Sequence, residues 1–330
     1  MRRARHRMRQ AGAALLAAML TVTLVATLAA ASLWQQWRSV EIETAERARI
    51  QSSWVLIGAL DWARLILRED ARAGGADHLA EPWAVPLQEA RLSTFLAADR
   101  SATIEPEADN IFLSGQIIDA QSQLNVTRLV EAGSISQPDL RSFSRLFDLL
   151  GLPSDELQRM AENLRFASDI STDNRSAAQA PLMPQRVERL TWLGLSLPTV
   201  AALQPYVTVL PTRAAANINT ASAEVIYASV KGISMADARR VVAERDNAPI
   251  RNVPDAARLL GVQESTLGEG TISTNSIYFE VLGRLRLGDT VVEERSLVVR
   301  DGMDVKPVRR ERGVFDPAAV ARAAAAQGKR

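Results

Sequence analysis

Apolar and polar positions divide this chain into segments of different period. No charged residue occurs from Gln10 through Trp37. At about 1.5 Å per residue, that run is long enough to cross a hydrocarbon core of about 30 Å as a helix. Past Trp37 the pattern becomes amphipathic. Ala48, Val55, Ala59, Trp62 and Ile66 fall on one stripe at helical spacing, flanked by Leu56 and Ala63. Arg47, Asp61, Arg64 and Arg68 take the opposite face. Nothing interrupts the pattern until Gly74-Gly75. The spacing predicts one long helix, with a transmembrane part over 13–37 and an amphipathic part over 38–70.

Further on, Ile111 to Asp119 has the β-branched content of a strand, with Gly115 at a bulge or close approach. Short helices follow over Phe143–Leu150 and Asp155–Leu164, with Ser154 as N-cap. The block 217–262 is the best defined. Asn219 and Thr220 cap one helix, and a turn follows at Lys231-Gly232. Ser234 and Asp237 form a capping box, Pro254 opens the last helix and Gly261 ends it. From Ile277, apolar residues at 277, 279, 281, 285 and 287 alternate with polar or aromatic ones. Gly288-Asp289 is a hairpin turn, and Val291–Arg300 is the returning strand. Strands therefore bracket a helical block. The rest, basic, proline-marked and then alanine-rich, is expected to be a flexible tail over 303–330.

The beginning of the chain adds a direction. Arg2, Arg3, Arg5, Arg7 and Arg9 precede the apolar run with no acid among them, which holds that end in the cytoplasm and sends the rest across. Two readings compete here. In one, Leu15–Leu28 is the core of a secretory signal and Ala29-Ala30-Ala31 its cleavage site. In the other, Gly12 ends a short basic leader (1–12) and the apolar helix stays in the membrane. The helical pattern that continues beyond Trp37 favours the second. Trp34 and Trp37 then sit at the membrane edge, where indole rings prefer to lie. Trp83 and Trp192, farther along, are expected in the core.

Composition removes several classes of chemistry. Among 330 residues there is no cysteine, and the two histidines are His6 and His78. A zinc–thiolate site, a cysteine nucleophile or a histidine-based triad is accordingly hard to assemble. There is no glycine-rich phosphate loop and no nucleophile elbow. The expectation is that the chain is not an enzyme. Its net charge of +1 offers no field for nucleic acid.

The sequence also carries a resemblance. Arg9-Gln10-Ala11-Gly12 before Ala13-Ala14-Leu15-Leu16 looks like a prepilin-peptidase site. Then come Leu79-x-Glu81-x-Trp83-Ala84, Gly115-Gln116-Ile117-Ile118-Asp119-Ala120-Gln121, Leu210-Pro211, Asn217-Ile218-Asn219-Thr220-Ala221 and a terminal β-hairpin. In that order they resemble the minor pseudopilin K family of the type II secretion system (general secretion pathway protein K). The resemblance implies an α+β pseudopilin fold, a long N-terminal membrane-spanning helix packed on a small antiparallel sheet. That sheet would occupy 71–122 and 271–302, with a large all-helical insert over 123–270.

It further implies cleavage between Gly12 and Ala13 and N-methylation of Ala13. Ala17 stands where most pilin-like subunits carry glutamate, an absence that is itself characteristic of the K subunit. The implied role is non-enzymatic, at the tip of the pseudopilus, initiating or capping the fibre. Implied partners are minor pseudopilins I and J, the major pseudopilin, the inner-membrane assembly platform and the prepilin peptidase. The implied location is the inner membrane, single-pass, with the bulk of the chain periplasmic. No cofactor is expected. Some relatives bind calcium, but no ligand can be assigned to a position here, and Asp169 and Asp173 read as solvated loop acids.

The alternative from another class is a membrane-anchored DNA-binding protein. Lys231-Gly232-Ile233-Ser234, between two helices, resembles the helix-hairpin-helix of competence-type DNA receptors. Its basic residues, Lys231, Arg239, Arg240, Arg245 and Arg251, are offset by Glu224, Asp237, Glu244, Asp246 and Asp255.

Overall fold

A computed structural model describes residues 2–94, 110–169, 179–267, 271–288 and 290–313, with side chains from Ala13 onward and excepting that of residue 290. The chain forms two compact units, Met1–Val55 and Leu56–Arg330. Helix α1 (Arg2–Ala73) contributes to both.

In the first unit α1 is helical throughout, and its large apolar side chains from Leu15 to Trp37 are 59–70% exposed. The polar residues in this run do not spoil it. The hydroxyls of Thr21, Thr23 and Thr27 donate to the carbonyls of Ala18, Leu20 and Leu24 at 2.9, 3.0 and 2.8 Å. Each of these hydroxyls is thus satisfied inside the helix, as an apolar medium requires. The helix is long and apolar enough to cross a membrane.

In the second unit five antiparallel strands form a sheet in the order β1-β2-β9-β10-β11. These are β1 (Leu87–Arg91), β2 (Ile111–Asp119), β9 (Tyr278–Leu287), β10 (Thr290–Asp301) and β11 (Asp304–Gly313). Leu60, Ala63 and Leu67 of α1 pack on Ile117, Phe279, Val281, Val298 and Val305. Trp83 closes that core edge-on to Phe279, with ring centroids 5.2 Å apart. The buried stripe of α1 is therefore 56, 60, 63 and 67, which takes in the predicted flanks Leu56 and Ala63 rather than the predicted centre 48, 55, 59, 62 and 66. Trp62 is 47% exposed. The two stripes are neighbours on the helix, and the wider apolar arc let either face the core.

Gly115 permits close strand packing. It lies opposite Gly283 in register, and a Cβ at Gly115 would come within 2.9 Å of the Leu282 carbonyl oxygen.

Between β2 and β9 lies the insert, whose helices are α2 (Gln137–Leu150), α3 (Ser154–Ser168), α4 (Leu197–Leu203), α5 (Ala223–Ser229), α6 (Met235–Arg245), α7 (Val253–Leu260) and α8 (Glu264–Leu267). It has its own core, centred on Leu129, Phe143, Leu146, Phe147, Met160 and Leu190. The insert is largely but not wholly helical. Among the described residues three two-stranded pairs thread it: β3 (Leu124–Asn125) with β6 (Val207–Thr208), β4 (Val130–Glu131) with β5 (Ser134–Ile135), and β7 (Ala216–Asn217) with β8 (Ile272–Ser273). Chain segments too short to be recognised by periodicity pair where the insert folds back on itself.

Local signals fared unevenly. The Ser234–Asp237 capping box forms, and Gly261 ends α7 in the left-handed region. Ser154 is the first residue of α3 rather than its cap, and Ser222, not Asn219 or Thr220, caps α5. Trp192, expected in the core, is 40% exposed, with the Arg189 guanidinium over its ring.

The largest correction is at the C-terminal end. Residues 304–313, read from sequence as part of a tail, form strand β11. Its basic residues and Pro307 are what an edge strand carries to resist pairing with a further chain, and that composition imitates a tail. Residues 314–330 lie outside the described residues, as do 170–178 and residue 289 of the predicted hairpin turn.

Candidate functional site: a buried polar junction

The motifs singled out in the sequence meet where the insert joins the sheet. Strand β2 ends at Asp119, which caps a short 3-10 turn, its Oδ1 accepting from the Gln121 N–H at 2.7 Å. Asp119 is wholly buried. Its Oδ2 accepts from Ser276 Oγ at 2.6 Å, Thr220 Oγ1 at 2.6 Å and Asn217 Nδ2 at 3.2 Å. The Asn217 amide also donates to the Asp77 carbonyl at 3.1 Å and to Ser276 Oγ at 2.9 Å.

Around this centre each amide side chain ties irregular backbone together. Gln121 donates to the Ala215 carbonyl at 2.8 Å and accepts from Ile277 N–H at 2.7 Å. Asn219 exchanges two hydrogen bonds with the Ile250 backbone, both 2.9 Å. Asn125 accepts from Leu210 N–H at 3.2 Å and donates to the Thr212 carbonyl at 2.6 Å. Buried backbone that belongs to no ladder needs such partners, which explains polar residues in apolar surroundings.

Beside Asp119 lies a second cluster. Arg300, at the end of β10, donates to Asp70 Oδ2 at 2.6 Å, to both oxygens of Asp77 at 2.5 and 2.7 Å, and to the Ser276 carbonyl at 2.8 Å. Asp77 also accepts from Ser276 N–H at 2.6 Å. Burial pushes the Asp70 and Asp77 carboxyls up, partly opposed by Arg300. Burial pushes Asp119 up to about 6, against the hydroxyl and amide donors that favour its ionised form; the Asp77 charge adds to the rise.

Oxygens of Asp70, Asp77 and Glu81 lie within 4.8 Å of one another, close enough to hold a metal ion. The donor set does not call for one. The Arg300 guanidinium is the cation between Asp70 and Asp77. Glu81 is engaged by the His78 N–H at 2.8 Å and Trp83 Nε1 at 2.7 Å. Asp169 follows α3 and is exposed, and Asp173 lies outside the described residues.

The predicted processing residues belong to the other unit. Helix α1 runs unbroken through Gly12 and Ala13, and Ala13 and Ala17 are exposed. The hairpin between α5 and α6 presents Lys231 and Gly232 to solvent. However, Arg245 is buried and donates to the carbonyls of Ile218 and Ala221 at 2.5 and 2.6 Å, while Arg240 pairs with Asp237 at 2.9 Å. Two of the five basic groups that a phosphate-binding hairpin would use are thereby committed to internal contacts.

Comparison with known proteins bears on the insert and on the whole chain. Family models described as "Type II secretion system (T2SS), protein K" match residues 122–212 and 216–275, spans that include Asn125, Asn217 and Thr220. The type II secretion system protein K of Pseudomonas aeruginosa is 26% identical over 302 residues, covering 85% of this chain and 86% of its own length. The chain is a homologue of type II secretion system protein K. Its counterpart in Pectobacterium carotovorum subsp. carotovorum is 25% identical over 338 residues, covering 94% of this chain and 98% of that one. A chain in the crystal structure of the GspK-GspI-GspJ complex from enterotoxigenic Escherichia coli shares the fold. Its TM-score is 0.62 at 18% identity, over 82% of this chain and 99% of that chain.

Asp119 and Asn217 belong to motifs visible in the sequence, but nothing local to either shows that they meet. No local pattern links Asp77, Ser276 and Arg300, which stand far apart along the chain and meet only in the fold.

Proposed function

We propose that this protein is a minor pseudopilin that sits at the tip of the type II secretion pseudopilus and initiates or caps the fibre that drives export across the outer membrane. Homology to protein K along most of the chain carries this reading. The apolar, exposed first part of α1 supports a membrane-anchored start.

In this reading prepilin peptidase cuts between Gly12 and Ala13, and the new terminus at Ala13 is N-methylated. The chain remains in the inner membrane as a single pass, N-terminus toward the cytoplasm and the bulk in the periplasm. The partners are pseudopilins of the I and J types, counterparts of the GspI and GspJ that accompany GspK in the related crystal complex. The major pseudopilin and the inner-membrane assembly platform complete the set. The role is structural and assigns the chain no reaction.

Ala17 fits the position in the fibre. A carboxylate in hydrocarbon is costly unless it compensates a charge, such as the terminal amine of a neighbouring subunit. A subunit with none ahead of it has no amine to compensate, and a small apolar residue is the cheaper choice.

Mass spectrometry of the N-terminal peptide of the membrane-bound protein tests the reading. A chain that begins with N-methylated Ala13 is expected. A soluble chain that begins near Ser32 would overturn it.

A further inference from the structure

Asp119 is a buried carboxyl that touches no cation among the described residues. Arg300 directs its guanidinium to Asp70, Asp77 and the Ser276 carbonyl. Among the described residues the donors to Asp119 are neutral: Gln121 N–H from the turn after β2, Asn217 and Thr220 from the insert's interior, and Ser276 just before β9. The charge that acts on it is that of Asp77, which has the same sign.

Asp119 also borders a cavity of about 90 Å³ shared with Glu280, Arg295, Arg309, Glu311, Arg186 and Glu188. Those groups answer one another. Arg186 and Arg309 reach Glu311 at 2.6 and 2.9 Å, Arg295 stands 4.0 Å from Glu280, and Glu188 accepts from Gln204 at 3.2 Å. A buried carboxylate without a counter-ion tends to neutralise itself by taking up a proton.

The surroundings can accommodate that proton. Thr220 Oγ1 and Ser276 Oγ are hydroxyls, which accept as well as donate. A protonated Asp119 can donate to Thr220 Oγ1, whose own hydrogen then turns to the Asn217 carbonyl, 3.4 Å away. Asp119 itself ends β2 of the sheet while Asn217 and Thr220 belong to the insert, so its charge state is felt by the insert and by the sheet together.

We propose that Asp119 is a proton-operated clasp, which fastens the insert to the sheet more firmly when a proton from the surrounding solution neutralises it. The clasp requires only the joint itself and stands apart from the secretory role.

The sign follows from linkage. A carboxyl held at about 6 in the closed joint and near its ordinary 3.8 in an opened one weakens the joint above pH 6. That weakening is relieved as pH falls through 6. Between about pH 7.5 and about pH 5 the opening equilibrium should fall about tenfold.

The test is hydrogen exchange of the full-length protein in detergent micelles, corrected for the intrinsic pH dependence of exchange. Peptides spanning Asn217–Thr220 and Ser273–Tyr278 should be about tenfold better protected at the lower pH. In Asp119→Asn the difference should shrink to what the raised Asp70 and Asp77 carboxyls contribute. Should that variant not fold, Thr220→Val decides: it removes a donor to the ionised form and should move the midpoint to higher pH. Equal protection at both pH values in the unaltered protein, the same difference in Asp119→Asn, or an unmoved midpoint in Thr220→Val would each overturn the clasp.

Discussion

Arg300 carries the heaviest single load at the residue scale. Its side chain is 9% exposed, and it holds Asp70, at 9%, and Asp77, at 5%, against one another. Through Asp70 it ties the last turns of α1 to β10, and through Ser276 it reaches the joint with the insert. Breaking a buried ion pair from one side leaves uncompensated charge, which typically costs about 3–5 kcal/mol. Arg300→Ala is therefore expected to lose stability on that order in urea unfolding at neutral pH. The deficit should shrink in mildly acidic buffer. With the guanidinium gone, burial and mutual repulsion raise the Asp70 and Asp77 carboxyls further, and a proton taken up in the folded state restores part of the loss. A deficit that stays constant from neutral pH down to about pH 5 would contradict the assignment of Arg300 as their counter-ion.

Glycine marks two opposite situations at the scale of elements. Gly115 on β2 faces Gly283 on β9, and an added Cβ would press on a backbone oxygen, which cannot move aside as a side-chain end can. Gly115→Ala should cost about 1–3 kcal/mol. Gly58 lies in the interior of α1, exposed, with nothing within 4 Å of an added Cβ. There alanine should stabilise by about 0.5–1 kcal/mol. Thermal unfolding followed by circular dichroism separates the two, and equal effects would contradict the close approach at Gly115.

The same contrast shows what a sequence discloses. Elements with a strong period or a local signature were legible: the length of α1, the capping box of α6, the end of α7 and the β9–β10 pairing. The alternation in β9 was legible on one face only. Tyr278, placed with the polar set, is buried on the other face by Ala120 and Leu210, where the insert covers the sheet. Strand β11 escaped notice because charge and proline guard an edge in the same residues that would solvate a tail. The junction escaped for another reason. Asp77, Asp119, Asn217, Ser276 and Arg300 are each unremarkable among their sequence neighbours, and only the insertion of one folded body into another brings them together.

For the molecule as a whole, that insertion bears on which side of the membrane each part occupies. A core of its own and a sealed polar joint suit a body that folds in water, while the first part of α1 exposes apolar side chains that water disfavours. The proposed single-pass arrangement therefore separates Ala4 from Lys231 by a bilayer. The absence of cysteine makes this directly measurable, because one introduced thiol is the sole target of a thiol reagent. Lys231→Cys, on the exposed turn between α5 and α6, should react with a membrane-impermeant maleimide in intact spheroplasts. Ala4→Cys should react only after the inner membrane is opened, and only in cells that lack prepilin peptidase. In cells that have the peptidase the label should be absent from the mature chain, since the leader that carries it is removed. Labelling of Ala4→Cys in intact spheroplasts would reverse the topology. A label retained at Ala4→Cys in peptidase-competent cells would instead leave the topology standing and remove the cleavage between Gly12 and Ala13. One pair of variants thus tests orientation and processing separately.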